Sequence, residues 1–174
     1  RQIATAAGIQ AGSVYYHFSG KEEMAARVLD AGIHALTKAL NTRLGALPAN
    51  ASPRQRLTAA VEGHLWAMVH HRDITAAHIR IYRNVSDEAR QRHLPVRNAY
   101  TQLWDDLLAA AAAAGTLRRD MPVPMVRQFL VGALNWPVDW YDPRRGGFEQ
   151  LAAQITALVL DGLTTRPRRR GLAS

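Results

Sequence analysis

Ser13, Tyr15, Tyr16 and His17 put a hydroxyl, two phenols and an imidazole into one short stretch of the chain. Side chains of this kind hydrogen-bond phosphate oxygens and base edges. The rest of the chain does not supply what a catalytic centre needs. No Gly-rich phosphate loop opens a helix, and no nucleophile stands with a positioned base. Asp105 and Asp106 are adjacent, so on a helix they point apart and do not form a cooperating carboxylate pair. His64, His71 and His78 recur at seven-residue spacing, but no histidine pair sits at i, i+4 and Asp73 interrupts the helix between them. We therefore expect no metal site and no cofactor. There is no cysteine, which excludes disulfides, thiolate catalysis and cysteine-ligated zinc.

The polar cluster belongs to the run Ile3 to Met24, which reads as a short helix, a tight turn, a second short helix and the start of a long third one. Ala4 and Ala7 are small enough for close packing, and Gly8 supplies the positive φ of the turn. Ile9 and Phe18 read as core. Ser19 to Glu22 fits a capping box with Ser19 at N-cap and Glu22 at N3. Two short helices joined by such a turn make a helix-turn-helix, whose second helix enters the major groove.

Downstream, every segment is helical. A long helix runs from Lys21 to about Leu47, with Met24, Val28, Ile33, Leu36, Leu40 and Leu44 near the 3.6 period. Ser52-Pro53 starts the next, Ser at N-cap and Pro at N1, and buries Leu57, Val61, His64, Leu65 and Met68. Ile74 to Val85 is a further short helix, then Ser86 to Arg92 a polar linker. A long helix covers about Pro95 to Ala114 and closes at Gly115. Pro122 and Pro124 open another, with Val126, Phe129, Leu130 and Leu134, which Pro137 ends near Trp136. Phe148 to Leu163 forms the last, with Leu151, Ile155, Leu158 and Val159 as its apolar face. No strand-like alternation occurs. The fold class is all-α.

The Ile3 to Met24 run resembles the TetR family of bacterial transcriptional regulators. The resemblance rests on Ile3-Ala4, Ala7-Gly8-Ile9, Ser13-Val14-Tyr15-Tyr16-His17-Phe18 and Lys21. It implies a DNA-binding domain and connecting helix over residues 1–47, and a helical ligand-binding and dimerisation domain over 48–165. Residues 166–174 follow as a basic, disordered tail. It also implies a helix before Ile3, of which the sequence shows only Arg1 and Gln2. Arg1, Ser13, Tyr15, Tyr16, His17 and Lys21 match positions that contact the operator. Of these, Tyr16, His17 and Lys21 suit phosphates, and Ser13 and Tyr15 suit base edges or thymine methyls. The family's last two long helices pair with those of a second subunit, which places a homodimer interface on residues 123–139 and 148–163. Phe129, Leu134, Leu151, Leu158, Gly132, Ala133 and Ala152 are its packing residues, unless these faces fill the monomer core instead.

The same resemblance implies a ligand-responsive repressor that binds a pseudo-palindromic double-stranded operator and is released by a small hydrophobic inducer. The candidate lining is Trp66, Met68, His71, His78, Tyr82, Tyr100, Trp104, Asn135, Trp136, Trp140 and Tyr141, each of which also fits a helical core stripe. The segment from Gly132 to Pro143 resembles TetR regulators of fatty-acid and sterol breakdown, which respond to acyl-CoA thioesters. It implies an acyl chain in an apolar tunnel and phosphates at Arg80, Arg83 or Arg97. The competing reading is a helical ligand-binding or scaffold protein whose helix-turn-helix does not regulate transcription.

Charge adds little to this choice. The chain carries a net +8, of which Arg166, Arg168, Arg169 and Arg170 in the tail supply half. No apolar run approaches the ~20 residues of a membrane span and no signal peptide opens the chain, so the expected location is the cytoplasm.

Overall fold

In the computed structural model the described residues are 2–117, 120–142, 144 and 146–163. Arg1, Arg118, Arg119 and the expected tail at 166–174 lie outside them. Among the described residues the chain is all helix: α1 (Gln2–Ala6), α2 (Ala11–His17), α3 (Lys21–Gly45), α4 (Pro53–His70), α5 (Arg72–Tyr82), α6 (Asp87–Ala113), α7 (Val123–Asn135), α8 (Pro137–Trp140) and α9 (Phe148–Leu163).

Two glycines end helices where the sequence places them. Gly8 has φ +67° and Gly115 φ +72°, a region side chains rarely enter. After α1, the Ile9 N–H donates to the Ala4 carbonyl and the Gly8 N–H to that of Thr5. After α6, the Thr116 and Gly115 N–H groups do the same to Ala111 and Ala112. Both are Schellman closures, which satisfy carbonyls the helix end would leave unpaired.

At the helix starts, one expected box is found in place and another is moved. Ser52 caps α4 reciprocally with Gln55, and Pro53 stands at N1. At α3, however, extended Gly20 is the N-cap, so the residue at N3 is Glu23 rather than Glu22. The Ser19 N–H and hydroxyl both donate to the Glu23 carboxylate, at 2.8 and 2.7 Å. Glu22 instead accepts a hydrogen bond from the Ser86 hydroxyl.

Ser86 also corrects the expected linker at 86–92. Its hydroxyl accepts from the Ala89 N–H and caps α6, which begins at Asp87 and runs straight through Pro95. Asp87 and Glu88 favour the positive end of the helix, and pair with Arg90 and Arg92 at 2.9 and 2.8 Å. Pro95 removes one backbone donor on the exposed side, and the capped, ion-paired turns before it keep the helix intact.

The core is a continuous apolar cluster contributed by α3, α4, α6, α7 and α9, with Leu40, Leu57, Leu65, Trp104, Leu108, Leu130, Leu134 and Leu160 fully buried. Glycine sets how closely α3 is gripped. A Cβ on Gly63 of α4 would lie 2.6 Å from the Leu40 Cα and 3.0 Å from the Ala39 carbonyl oxygen. A Cβ on Gly32 of α3 would lie 2.5 Å from the Cβ of His78 on α5.

Gly63→Ala should therefore force α3 and α4 apart and lower the unfolding free energy by about 1–3 kcal/mol in a urea titration. Gly45→Ala, with nothing near its added methyl, should leave it unchanged or raise it slightly. Equal stability of the two variants would mean the α3–α4 crossing has slack.

Candidate nucleic-acid interface and ligand cavity

The helix α2 shows its chemistry to solvent. Ser13, Tyr15, Tyr16, His17 and Lys21 are all exposed, Tyr16 by 86%, and the Tyr16 and His17 rings meet edge to face at 5.1 Å. Two phenols turned outward on seven residues have no folding purpose of their own, because burying them would have been favourable. Arg1, the sixth candidate, is outside the described residues. Phe18 is half-buried under the Arg27 guanidinium, 6.0 Å from its ring centroid. Ile9, expected in the core, is 50% exposed because it follows the Schellman turn on its outer side. An apolar groove of about 190 Å³ lies between α1, α2 and α3, lined by Ile3, Ala4, Val14, Phe18 and Met24.

Behind α3 lies a second cavity, of about 330 Å³, walled by α3, α4, α5, α6 and α7. Of the sequence candidates, His78, Tyr82, Tyr100, Trp104 and Asn135 meet there. The other six are placed elsewhere. Met68 is sealed in the core. Trp66 stacks on His70 at 4.5 Å and touches His71 edge-on, against the Phe148 end of α9. His71 stands at the break between α4 and α5. Trp136 is 68% exposed, with Trp140 edge-on to it at 6.1 Å. Trp140 and Tyr141 line a separate surface hollow, and Tyr141 donates to the Gly146 carbonyl. Helical spacing distinguishes one face from another, but not a cavity wall from a core or an outer surface, and these six fall on the other two.

His64 is the residue that sequence reasoning missed. The sequence shows it as part of a buried stripe and of a histidine spacing set aside as a metal site, yet it forms the polar floor of the cavity. The Tyr100 hydroxyl donates to its Nδ1 at 2.7 Å, and its Nε2 donates to the Asn135 Oδ1 at 3.0 Å. Burial pushes the imidazole down from its ordinary 6.5 to about 4, against the pull of the Asn135 bond. Burial likewise pushes the Tyr100 phenol up, so it stays a donor. With both groups neutral, one tautomer satisfies the whole chain of bonds. The Trp104 indole N–H, beside them, is buried without a partner among the described residues. His64 and His78 face the same cavity but His71 does not, and no three-residue metal grouping occurs among the described residues.

The other side of the cavity is cationic. Arg97 lies 5.1 Å over the Tyr82 ring and donates to its hydroxyl, while Arg127, a second omission, is bound to Asp105 at 2.7 Å. Arg83 also lines the wall. Arg80 does not: it faces Asp139 at 3.6 Å on the outside of the body. His78 stands where the cavity meets α3. Its Nδ1–H donates to the Leu29 carbonyl at 3.0 Å, and burial holds it down at about 4.

A small helix-turn-helix with its polar side chains outward, set on a long helix that also walls a half-open cavity, defines a DNA-binding transcriptional regulator with a ligand site. The sequence matches the description "Bacterial regulatory proteins, tetR family" over residues 1–28 and "Tetracyclin repressor-like, C-terminal domain" over 50–163. The chain belongs to the TetR family, and it is a regulator rather than an enzyme. It is similar to the HTH-type transcriptional repressor KstR2 of Mycolicibacterium smegmatis, 31% identical over 94% of this chain and 80% of that protein. The solved structure of the ketosteroid transcriptional regulator KstR2 of Mycobacterium tuberculosis superposes with a TM-score of 0.71 and 29% identity, over 95% of this chain and 84% of that one. AibR, solved with isovaleryl coenzyme A and operator DNA, shares the fold with a TM-score of 0.73 at 19% identity, over 90% of this chain and 84% of that one.

Protonating the buried imidazoles must cost stability. Below pH 6.5 the unfolded chain takes up a proton at His64 that the folded chain refuses until about pH 4. Stability should be fully present above pH 6.5 and fall as the pH drops towards 4, by about 3 kcal/mol from His64. His78 adds a loss of the same sign. Urea midpoints measured from pH 7 to 4 check this, and a flat midpoint would mean that His64 titrates freely in the folded protein.

Proposed function

We propose that the protein is a ligand-responsive repressor that binds a pseudo-palindromic operator as a homodimer and leaves it when a small apolar inducer with an anionic end enters the cavity. The observation that carries this reading is that one helix serves both sites. Ile33 and Leu36 of α3 line the cavity, and the same helix begins at Lys21, beside the exposed face of α2. A ligand that fits the cavity better in one setting of α3 shifts the population towards that setting.

At the DNA, Tyr16, His17 and Lys21 take backbone phosphates, and Ser13 and Tyr15 reach base edges or thymine methyls. The inducer class follows from the cavity wall. Apolar walls of Ile33, Leu36, Ile79 and Val131 above the His64 floor, with Arg83 and Arg97 on one side, suit the acyl chain of a thioester whose phosphates lie at the guanidiniums. A space of about 330 Å³ is at the small end of ligand sites, so it holds the acyl part of a coenzyme A thioester and leaves the nucleotide outside. The isovaleryl coenzyme A bound to AibR, a protein of the same fold, supports this class. So does the resemblance of residues 132–143 to regulators of fatty-acid and sterol breakdown.

The partner subunit covers α7 and α9. Each of these helices has two apolar faces. Val126, Leu130, Leu134, Leu151 and Ala152 pack inward, which removes Leu134, Leu151 and Ala152 from the expected interface. Met125, Phe129 and Leu158 face solvent, with Phe129 66% and Leu158 79% exposed, and Gly132 has open space beside it. A stripe of this kind on two neighbouring helices suits a four-helix contact between subunits, which sets the two DNA-binding ends for half-sites a helical turn or a multiple apart. A regulator of this kind works in the cytoplasm, and among the described residues no helix is long and apolar enough to cross a membrane.

Fluorescence anisotropy on DNA from the protein's own upstream region, with and without a panel of acyl-CoAs, tests the reading. We expect specific binding that weakens steeply with salt and is released by one thioester. Lys21→Ala should weaken it across sequences and reduce the salt slope by about one. Release by no member of the panel would discard the acyl-CoA class but keep the regulator. Phe129→Glu should dissociate the dimer in sedimentation runs while the subunits keep their helical circular dichroism, since its side chain is outside the core. A stable Phe129→Glu dimer would move the interface elsewhere.

A further inference from the structure

We infer that His78 is the positioning residue through which cavity occupancy reaches the DNA-binding end, an inference that rests on the ligand-responsive reading above. Three observations meet at this side chain. Its ring lines the cavity beside Tyr82, with centroids 6.1 Å apart. Its Nδ1–H holds the Leu29 carbonyl of α3 at 3.0 Å. Its Cβ occupies the notch left by Gly32, where even a methyl group on α3 would come within 2.5 Å. The ring therefore touches the ligand space on one side and α3 on the other, one turn apart at residues 29 and 32.

The geometry leaves little freedom. A ligand that pushes the ring aside breaks the bond to the Leu29 carbonyl, because a hydrogen bond at this length tolerates little reorientation. A ligand that pushes α5 as a body carries the His78 Cβ against the α3 backbone at Gly32, where no soft side chain lies between to absorb the shift. The ring also meets that of His93 at 5.4 Å, and the His93 Nδ1 lies 2.8 Å from the Asp30 carboxylate. Displacing His78 thus disturbs the grip on two successive residues of α3. The imidazole is neutral because it is buried, so its only N–H is the one committed to Leu29, and no other group on α5 replaces it.

The test uses the absence of cysteine in the chain to fill the cavity without knowing the inducer. Thr101, a half-buried lining residue, is replaced in Thr101→Cys and coupled to benzyl methanethiosulfonate, which leaves a benzyl disulfide in the cavity. Hydrogen exchange of the amides of residues 24–36 is compared between labelled and unlabelled protein. Labelling should speed exchange there severalfold. In Thr101→Cys with His78→Phe, which keeps a ring in the cavity but cannot donate, labelled and unlabelled protein should exchange alike. His78→Asn, which keeps a donor for Leu29 but puts no ring in the cavity, should also abolish the difference, and serves if the Phe variant folds poorly. An undiminished label effect in both His78 variants would overturn the assignment while leaving the regulator intact. No label effect even with His78 in place would sink this inference and cavity-to-α3 coupling together.

Discussion

The whole arrangement depends on how tightly α3 is held. At Gly63 the α4 backbone reaches the Leu40 backbone, and at Gly32 the α3 backbone reaches the His78 Cβ, with no side chain between them in either place. Close-packed backbones move as units, because any independent displacement meets hard contact on one side and opens a void on the other. Three polar contacts then fix the half of α3 nearest α2. Ser86 at the start of α6 donates to Glu22, the Leu29 carbonyl accepts from His78, and Asp30 pairs with His93. All three partners come from α5 and α6, the helices that wall the cavity. Contacts from α5 and α6 thus tie the DNA-binding half of α3 to the cavity walls.

The cavity stays open for a related reason. Burying His64, Tyr100 and Asn135 would be costly if any one lacked a partner, but together they satisfy one another across α4, α6 and α7. A network of this kind cannot collapse inward as leucines can, since its members must keep hydrogen-bond distances. It holds three helices at a spacing that leaves space beside them.

Much of this is legible in the sequence, and the misses have definite causes. Local signals carry the turns. Gly8 and Gly115 need positive φ, Ser52-Pro53 sets a helix start, and Gly146-Gly147 places the start of the last helix at Phe148. The expected linker at 86–92 fails because it gives Pro95 more weight than Ser86. A proline on an exposed helix face after well-capped turns costs one bond, not the helix. The box at Ser19 shifts by one residue because Gly20 adopts an extended backbone, which no side-chain pattern announces. The cavity is half legible. Aromatic residues on helical stripes can face a core, a cavity or a partner, and only the pairing of α4 with α6 and α7 decides which. That pairing is why His64 and Arg127 escape a reading by stripes and why Trp136 falls on the outer surface instead of the cavity wall.

The strength of these contacts also suits a switch. Each of these links is a hydrogen bond of about 0.5–3 kcal/mol, the upper part for those to the Glu22 and Asp30 carboxylates, which is the range of the coupling free energies typical of allosteric proteins, about 1–3 kcal/mol. Links much stronger than this would exceed what a small ligand can gain by preferring one setting of α3. Links much weaker would leave the DNA-binding end indifferent to the cavity. Glu22 and Ser86 are the outermost of the three and lie towards solvent, whereas His93 is sealed beneath them. The contact nearest the DNA is therefore the easiest to exchange for water, and the one beneath it is the hardest. A setting of α3 that differs at its solvent end can therefore be reached by exchanging the Glu22–Ser86 contact while the buried contact at Asp30 is kept.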